Sequence, residues 1–112
     1  TAALVVEEVA EAAVVPVSDE IKGVVPDLYV ALKPGFEASD AISKKIVDAL
    51  ISEIGPIAKP RKVWIVPDMP KTRSGKIMRR VLASLSNNKD VGDVMTLANP
   101  DVVELIKKQV QD

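Results

Sequence analysis

The sequence predicts a small mixed domain, of the α/β or the α+β class, in which a short β-sheet is flanked by helices. Its 112 residues are one domain's worth of chain, and the 47% of apolar residues are enough for a core. Short apolar runs rich in β-branched residues alternate with segments that repeat apolar residues every three or four positions. Strands and helices that alternate in this way indicate a mixed domain.

Three strands are predicted, at residues 10–17, 28–32 and 63–66, because each is a short apolar run with turn-forming residues nearby. The polar turn Ser18-Asp19-Glu20 follows the first of them, and the first two strands are candidates for pairing. Residues 2–9 are compatible with either a short helix or a strand.

The first helix is predicted from about residue 40 to 53, with Ser39 as its N-cap. Its apolar positions recur every four residues and stop before Gly55-Pro56. They are Ile42, Ile46, Leu50 and Ile54.

Two more helices are predicted in the second half of the chain. One runs from Ile77 through the apolar positions 81, 82 and 85, and residues 86–88 (Ser-Asn-Asn) end it. The other begins with Asn99 as cap and Pro100 at its first position, and its apolar face is Val102, Val103, Ile106 and Val110.

Two missing residue types exclude several function classes. The chain has no Cys, which excludes disulfide frameworks and thiolate chemistry, and no His, which excludes Ser-His-Asp triads and most zinc sites.

No run of about 18 apolar residues occurs, so no membrane partner is expected. The beginning of the chain lacks a signal-peptide pattern, so we expect a cytoplasmic protein. Three aromatic residues leave little for stacking on nucleic-acid bases.

The charge is unevenly distributed although the formal net charge is only −1. Residues 59–80 contain eight bases and one acid, a net charge of +7, whereas the other 90 residues have a net charge of −8. A concentrated basic stretch can attract phosphate-rich ligands. Charge alone does not decide between such a site and a solvated basic face.

Lys76 follows Gly75, which can adopt the positive φ of a tight turn, and residues 70–75 are predicted to form a loop or tight hairpin. A Walker A loop is excluded because Pro70 stands where its first glycine belongs and Ile77 where it needs Ser or Thr. From the residues alone, an exposed turn lysine is favoured over a ligand-binding one.

The run Pro70-Lys71-Thr72-Arg73-Ser74-Gly75-Lys76-Ile77-Met78-Arg79-Arg80 resembles the C-terminal catalytic-lysine motif of AMP-forming acyl-CoA synthetases, especially the acetyl-CoA synthetase branch. Residues 10–23, 53–58 and 92–98 resemble further segments of that branch. The resemblance implies an α+β fold and makes residues 1–112 a single mobile C-terminal domain, a lid, whose large N-terminal domain is absent. It also implies that the lid is inactive alone.

The same resemblance implies site residues and partners. Lys76 is the expected catalytic residue, Arg73 and Gly75 are expected to bind substrate or nucleotide, and no metal site is expected. The intact enzyme would use ATP, Mg²⁺ and CoA to adenylate a short-chain carboxylate and transfer it to CoA, whereas this domain alone would bind none of them. Expected partners are the large N-terminal domain, ATP or AMP, CoA, and a lysine acetyltransferase and deacylase, with no nucleic acid and no membrane.

The sequence departs from the family pattern at the segment Leu50-Ile51-Ser52, where the acetyl-CoA synthetase branch often has an arginine thought to contact the CoA phosphate. The alternative function is a stand-alone module whose basic stretch binds phosphate-rich ligands or nucleic acid.

The other polar candidates have ordinary structural interpretations. Arg79 and Arg80 are expected to be solvated or to face another domain, and Trp64 is expected in the core. Ser74 is interpreted as a turn residue, and Asp68 as a turn former or ion-pair partner.

Overall fold

The computed structural model describes residues 6–56 and 59–111. A three-stranded sheet has the order β1-β2-β3, with β1 and β2 antiparallel and β2 and β3 parallel. Three helices complete the domain, which confirms the α+β class. The elements are β1 (Val9–Asp19), β2 (Gly23–Leu32), α1 (Asp40–Glu53), β3 (Lys62–Val66), α2 (Arg79–Ser86) and α3 (Asp101–Gln111).

The first two strands pair as expected, but their hairpin is longer than the apolar runs indicated. Pairing extends from Val9 opposite Leu32 to Asp19 opposite Gly23. The reversal therefore lies at residues 20–22, later than predicted, because the Asp19 carboxylate accepts hydrogen bonds from the backbone N–H groups of the next turn, at 2.8 and 2.9 Å. An Asx turn of this kind is held by hydrogen bonds of its own, so the strands can extend beyond their apolar residues.

The described segment before β1 is neither of the two structures that the sequence allows for residues 2–9, a short helix or a strand. Residues 6–8 form a bend and turn rather than a helix or strand, and Val9 already belongs to β1. Val6 is nevertheless buried. Residues 2–5 lie outside the described part of the chain.

The core lies on both faces of the sheet, with β2 between its two halves. Leu28 and Val30 face α1, whereas Tyr29 and Ala31 face α2 and α3. Alternate side chains of a strand point to opposite faces, so a strand buried on both sides is apolar throughout. That arrangement explains the unbroken apolar run of residues 28–32.

Helix α1 has the predicted bounds and cap. The Ser39 Oγ accepts a hydrogen bond from the Ile42 N–H at 3.2 Å, and Ile46 and Leu50 are buried. The prediction that Ile54 belongs to the same apolar face is wrong, because Ile54 lies beyond the helix end and is 62% exposed. Gly55 follows it with a φ of +123°, a conformation that ends the helical path.

Two helices begin later in the structure than the sequence predicts. Helix α2 begins at Arg79 rather than at Ile77, because Ile77 pairs with Lys71 in a β-bridge. Helix α3 begins at Asp101, just after Pro100, and the Asn99 side chain is not its cap. The Asn99 Oδ1 instead accepts a hydrogen bond from the Lys71 N–H. The predicted inward positions of both helices are confirmed as buried for residues 81, 82, 85, 102, 103 and 106.

Candidate functional site

Residues 71–77 form the tight hairpin that the sequence left as one of two alternatives. The Thr72 N–H donates to the Lys76 carbonyl at 2.8 Å, and the Gly75 N–H donates to the Thr72 carbonyl at 2.9 Å. The three-residue loop 73–75 ends on Gly75, whose φ is +92°. Glycine adopts this conformation without the steric cost that a Cβ would add. The hairpin therefore presents Lys76 immediately after its tightest point.

Lys76 combines a fixed backbone with an exposed side chain. Its N–H donates to the Thr72 Oγ1 at 3.1 Å, and that hydroxyl also lies 2.9 Å from the Ser74 Oγ. These contacts confirm Ser74 as a turn residue. Within residues 6–56 and 59–111, the Lys76 ammonium takes part in no ion pair. It is therefore available to an anion from outside the domain.

The hairpin brings the three predicted site residues together. Arg73 and Gly75 are exposed in the loop, on the two sides of Ser74, and Lys76 follows directly. Two cations at one exposed tip suit a phosphate group. Their roles in binding or catalysis stay predictions.

The base of the hairpin is packed into the domain. Met69 and Pro70 are buried, and the Met78 N–H donates to the Pro70 carbonyl at 2.8 Å. On the outer side, Thr72 pairs with Leu97, and the Ala98 N–H donates to the Lys71 carbonyl at 2.9 Å. Residues 97–98 thus act as a third strand beside the hairpin.

Lys71 is neutralised within the domain. Its Nζ lies 2.8 Å from the Glu11 Oε1 and 3.8 Å from the Asp68 Oδ1, and hydrogen bonding to Glu11 raises the pKa of Lys71. Asp68 also accepts a hydrogen bond from the Met69 N–H at 2.8 Å, which confirms its interpretation as turn former and ion-pair partner. Lys71 therefore holds the hairpin base to β1 rather than facing a ligand.

Other bases of the stretch 59–80 also have internal partners. Arg61 forms an ion pair with Asp27 at 2.7 Å, and Lys62 lies over the Trp64 ring, 5.1 Å from its centroid. The Arg80 Nη1 donates to the Val91 carbonyl at 2.8 Å, so Arg80 holds a loop, although the residue as a whole is exposed. Arg79 is exposed as expected. The stretch is thus divided between structural contacts and a few exposed cations, rather than forming one uniform basic patch.

The sequence interpretation missed Asp27, a fully buried carboxylate in β2. Arg61 donates to it from Nε at 2.9 Å and from Nη2 at 2.7 Å, the Trp64 Nε1 donates at 3.1 Å, and the Ser86 Oγ donates at 2.9 Å. The network connects β2, the segment before β3, β3 itself and the end of α2. An acid directly before an apolar strand run was its only sequence signal.

Trp64 has a more specific role than the predicted core position. Its ring is only half-buried and packs against the margin of the core that includes α2 and α3. Its N–H is used by Asp27, so the indole serves as a hydrogen-bond anchor as well as apolar surface.

Tyr29 extends the same network. The Ser86 hydroxyl gives its single proton to Asp27, so the Tyr29 hydroxyl donates to Ser86. Burial raises the pKa of Tyr29 to about 12, because the phenolate would lose its hydration inside the domain.

We expect the domain to lose stability in alkaline solution as this phenol ionises. The folded-state pKa of Tyr29 lies above its ordinary value, so its contribution is complete below about pH 10 and is lost as the pH rises towards about 12. The loss should amount to about 2–3 kcal/mol.

This expectation is checked by measuring the free energy of unfolding as a function of pH, with Tyr29→Phe as control. Because the chain has one tyrosine, phenolate absorbance reports Tyr29 directly. Equal pH dependence in both proteins would contradict the expectation.

The described residues contain neither a membrane-spanning helix nor an acidic metal site. No helix of the described residues has the length and apolar character needed to cross a membrane. Across residues 6–56 and 59–111, no three acidic side chains come together as a metal site would require.

Comparisons with known proteins match this domain consistently. The family model "AMP-binding enzyme C-terminal domain" matches residues 1–76. The acetyl-coenzyme A synthetase of Emericella nidulans is 49% identical over 100 residues, which are 88% of this chain and 15% of that enzyme. A Brucella canis acyl-CoA synthetase structure matches 74% of this chain and 15% of its own, with a TM-score of 0.69 and 35% identity.

The acetoacetyl-CoA synthetase of Streptomyces lividans shares the fold over 98% of this chain, with a TM-score of 0.77 and 22% identity, and the match covers 17% of that enzyme. The chain thus spans about a sixth of the length of the proteins it matches. The family match over residues 1–76 includes Lys76 and every residue of the hairpin except Ile77. The chain belongs to the AMP-binding enzyme C-terminal domain family, in the form found in acetyl-CoA synthetases.

Proposed function

We propose that this domain is the mobile lid of an ATP-dependent, AMP-forming acyl-CoA synthetase and that Lys76 acts in the adenylation of acetate or another short-chain carboxylate. The observation that supports the proposal most strongly is the placement of Lys76. A hairpin bonded to the domain on both sides presents an ammonium that no carboxylate of the described residues neutralises.

Adenylation is a reaction in which such an ammonium is useful. A carboxylate oxygen attacks the α-phosphorus of ATP, an oxygen–phosphorus bond forms, and the bond to pyrophosphate breaks. Negative charge concentrates on the α-phosphate oxygens as this happens. A cation held in place stabilises that charge more than it stabilises the ground state. In the second half-reaction the CoA thiol attacks the acyl carbon and AMP leaves, so the phosphorus no longer needs this charge.

The rest of the active site is assigned to a large N-terminal domain. The family relatives are about six times longer than this chain, which leaves room for the ATP, acid and CoA sites outside it. We assign Mg²⁺ to the large domain as well, because Mg²⁺ usually binds together with the phosphates of its nucleotide. Arg73 and Gly75 complete the proposed contribution of the lid. Arg73 would meet a nucleotide phosphate, and Gly75 would let the backbone approach it.

Regulation by acetylation of Lys76 belongs to the same proposal. The side chain is exposed at the hairpin tip, where an acetyltransferase and a deacylase would reach it. Acetylation removes the positive charge and leaves an amide, so adenylation would be inhibited until the acetyl group is removed.

The test of the lid function is to supply the large domain. Residues 1–112 alone should catalyse no acetate-dependent exchange of pyrophosphate into ATP, and the large domain of an acetyl-CoA synthetase relative alone should catalyse little. Joining that large domain to residue 1 should restore exchange. The control joins the same large domain to its own C-terminal domain. Restoration by the control but not by this chain would contradict the proposal.

The alternative, a stand-alone module for nucleic acid, is not favoured by the comparisons. The structure also weakens its basis, because Glu11 and Asp27 neutralise two cations of the basic stretch. The alternative requires binding of DNA or RNA by this chain that weakens steeply as salt is added.

A further inference from the structure

We propose that Asn99 is a positioning residue for Lys76, because its side chain holds the base of the catalytic hairpin to the start of α3. This inference rests on the proposed role of Lys76 in adenylation. The sequence pattern had suggested a different task for Asn99, as the cap of the last helix.

The Asn99 side chain uses three hydrogen bonds on the segment that leads into the hairpin. Its Oδ1 accepts from the Lys71 N–H at 2.9 Å, and its Nδ2 donates to the Met69 carbonyl at 2.7 Å. The same nitrogen lies 3.3 Å from the Asp68 Oδ2. One amide therefore contacts polar groups of Asp68, Met69 and Lys71, on both sides of Pro70, where the chain passes from β3 into the hairpin.

These bonds continue the ladder formed by residues 97–98. Thr72 pairs with Leu97, and the Lys71 carbonyl accepts from the Ala98 N–H. The Lys71 N–H has no backbone partner among residues 6–56 and 59–111, and the Asn99 Oδ1 accepts its hydrogen bond instead. The Asn99 side chain thus adds one hydrogen bond to the pairing between residues 97–98 and the hairpin, at the hairpin base.

Asn99 directly precedes a helix that is packed into the core. The Asn99 carbonyl accepts from the Val102 N–H at 3.2 Å, so the backbone begins α3 while the side chain stays free for the hairpin. The next turns of α3 bury Val103 and Ile106 in the core. A change at Asn99 would therefore loosen the hairpin relative to a fixed helix, and the displacement would be largest at the exposed tip.

Asn87 offers a matched control. Its Oδ1 accepts from the Ser18 N–H at 2.9 Å, and its Nδ2 donates to the Pro16 carbonyl at 3.0 Å and to the Ala83 carbonyl at 2.7 Å. It therefore also makes three hydrogen bonds, but these bonds join β1 to the end of α2 and none of them involves the hairpin. Asn87→Ala and Asn99→Ala remove the same chemical group.

The experiment compares both variants in an enzyme that contains the large domain. Asn99→Ala should lower kcat for acyl-adenylate formation by about 10- to 100-fold, since a small misplacement of a catalytic group has effects of this size. The KM values for ATP and the acid should stay within about twofold, as should thioester formation from preformed acyl adenylate. Asn87→Ala should leave both half-reactions within about twofold while lowering Tm comparably.

A second measurement reads the hairpin directly. In the 112-residue chain, the Thr72 and Gly75 amides should exchange hydrogen faster in Asn99→Ala than in Asn87→Ala. If Asn99→Ala unfolds at the assay temperature, Asn99→Ser leaves a hydroxyl in the site and should give the same selective loss.

The outcomes separate the two proposals. Lys76→Ala without effect on adenylation would overturn the proposed function. If Lys76→Ala abolishes adenylation but Asn99→Ala or Asn99→Ser behaves like Asn87→Ala, the proposed function stands and the positioning role of Asn99 is overturned.

Discussion

Replacing Lys76 by alanine, in an enzyme that contains the large domain, is expected to lower the rate of acyl-adenylate formation by about 10²–10³-fold. The reason is the loss of one preorganised charge contact in the transition state, which is worth about 3–4 kcal/mol. Thioester formation from preformed acyl adenylate should be spared, because the α-phosphate gains no charge in that step. The two half-reactions are measured separately, by pyrophosphate exchange and by release of AMP from added acyl adenylate.

Lys44→Ala is the control for a general loss of positive charge. Lys44 is exposed on α1, within the part of the sequence that is acidic overall. It should leave both half-reactions unchanged. An equal loss of both half-reactions in Lys76→Ala would show that the lysine supports the fold or the domain contact rather than adenylation.

Replacing Asp27 by alanine is expected to lower the free energy of unfolding by about 2–5 kcal/mol, because each inward-facing donor left without an acceptor costs about 1–3 kcal/mol. The substitution leaves the Trp64 N–H and the Ser86 hydroxyl without their acceptor and leaves a cavity in β2. Arg61 is less affected, because its side chain is 41% exposed and can turn to water. Denaturant unfolding is followed through Trp64, the one tryptophan of the chain.

Glu8→Ala is the comparison for Asp27. Glu8 also forms an ion pair, with Lys45 at 2.9 Å. This pair lies at the surface, where water screens the attraction between the two charges. Its loss should have a much smaller effect on unfolding. Similar effects of the two substitutions would show that the Asp27 network is not a main stabilising feature of the domain.

Asp27→Asn separates the charge from the hydrogen bonds. The amide keeps the size of the side chain and one acceptor oxygen, so it should destabilise the domain less than alanine does. If asparagine and alanine are equally destabilising, the negative charge facing Arg61 is the main contribution.

The features predicted correctly are those that depend on neighbours in the chain. Ser39 caps α1 through an N–H three residues away, and Gly75 closes its turn within the hairpin. The run at residues 63–66 forms a strand because its β-branched residues suit a pleated surface. Signals of this kind act over a few residues, so a sequence pattern is sufficient to find them.

Most of the errors arise where a residue is used by a segment other than the helix to which its periodicity points. The periodicity places Ile77 in α2, but Ile77 forms a β-bridge with Lys71 in the hairpin. The sequence pattern makes Asn99 a helix cap, but its side chain accepts a hydrogen bond from the Lys71 N–H at the hairpin base. Ile54 follows the helical period, but α1 ends one residue before it, at Glu53. Asp27 finds its partners 34 to 59 residues away, a distance that no local pattern describes.

The sequence by itself determined a mixed domain of the α/β or the α+β class, the positions of most elements and the motif that contains Lys76, because periodicity, capping and turn chemistry are local. Only the tertiary structure decided which cations remain free. Glu11 and Asp27 neutralise Lys71 and Arg61, while Lys76 stays exposed at the tip of a hairpin that Asn99 holds from the side. An ion pair depends on which side chains meet in space, and that is set by the packing of β1, β2 and α3 rather than by spacing along the chain.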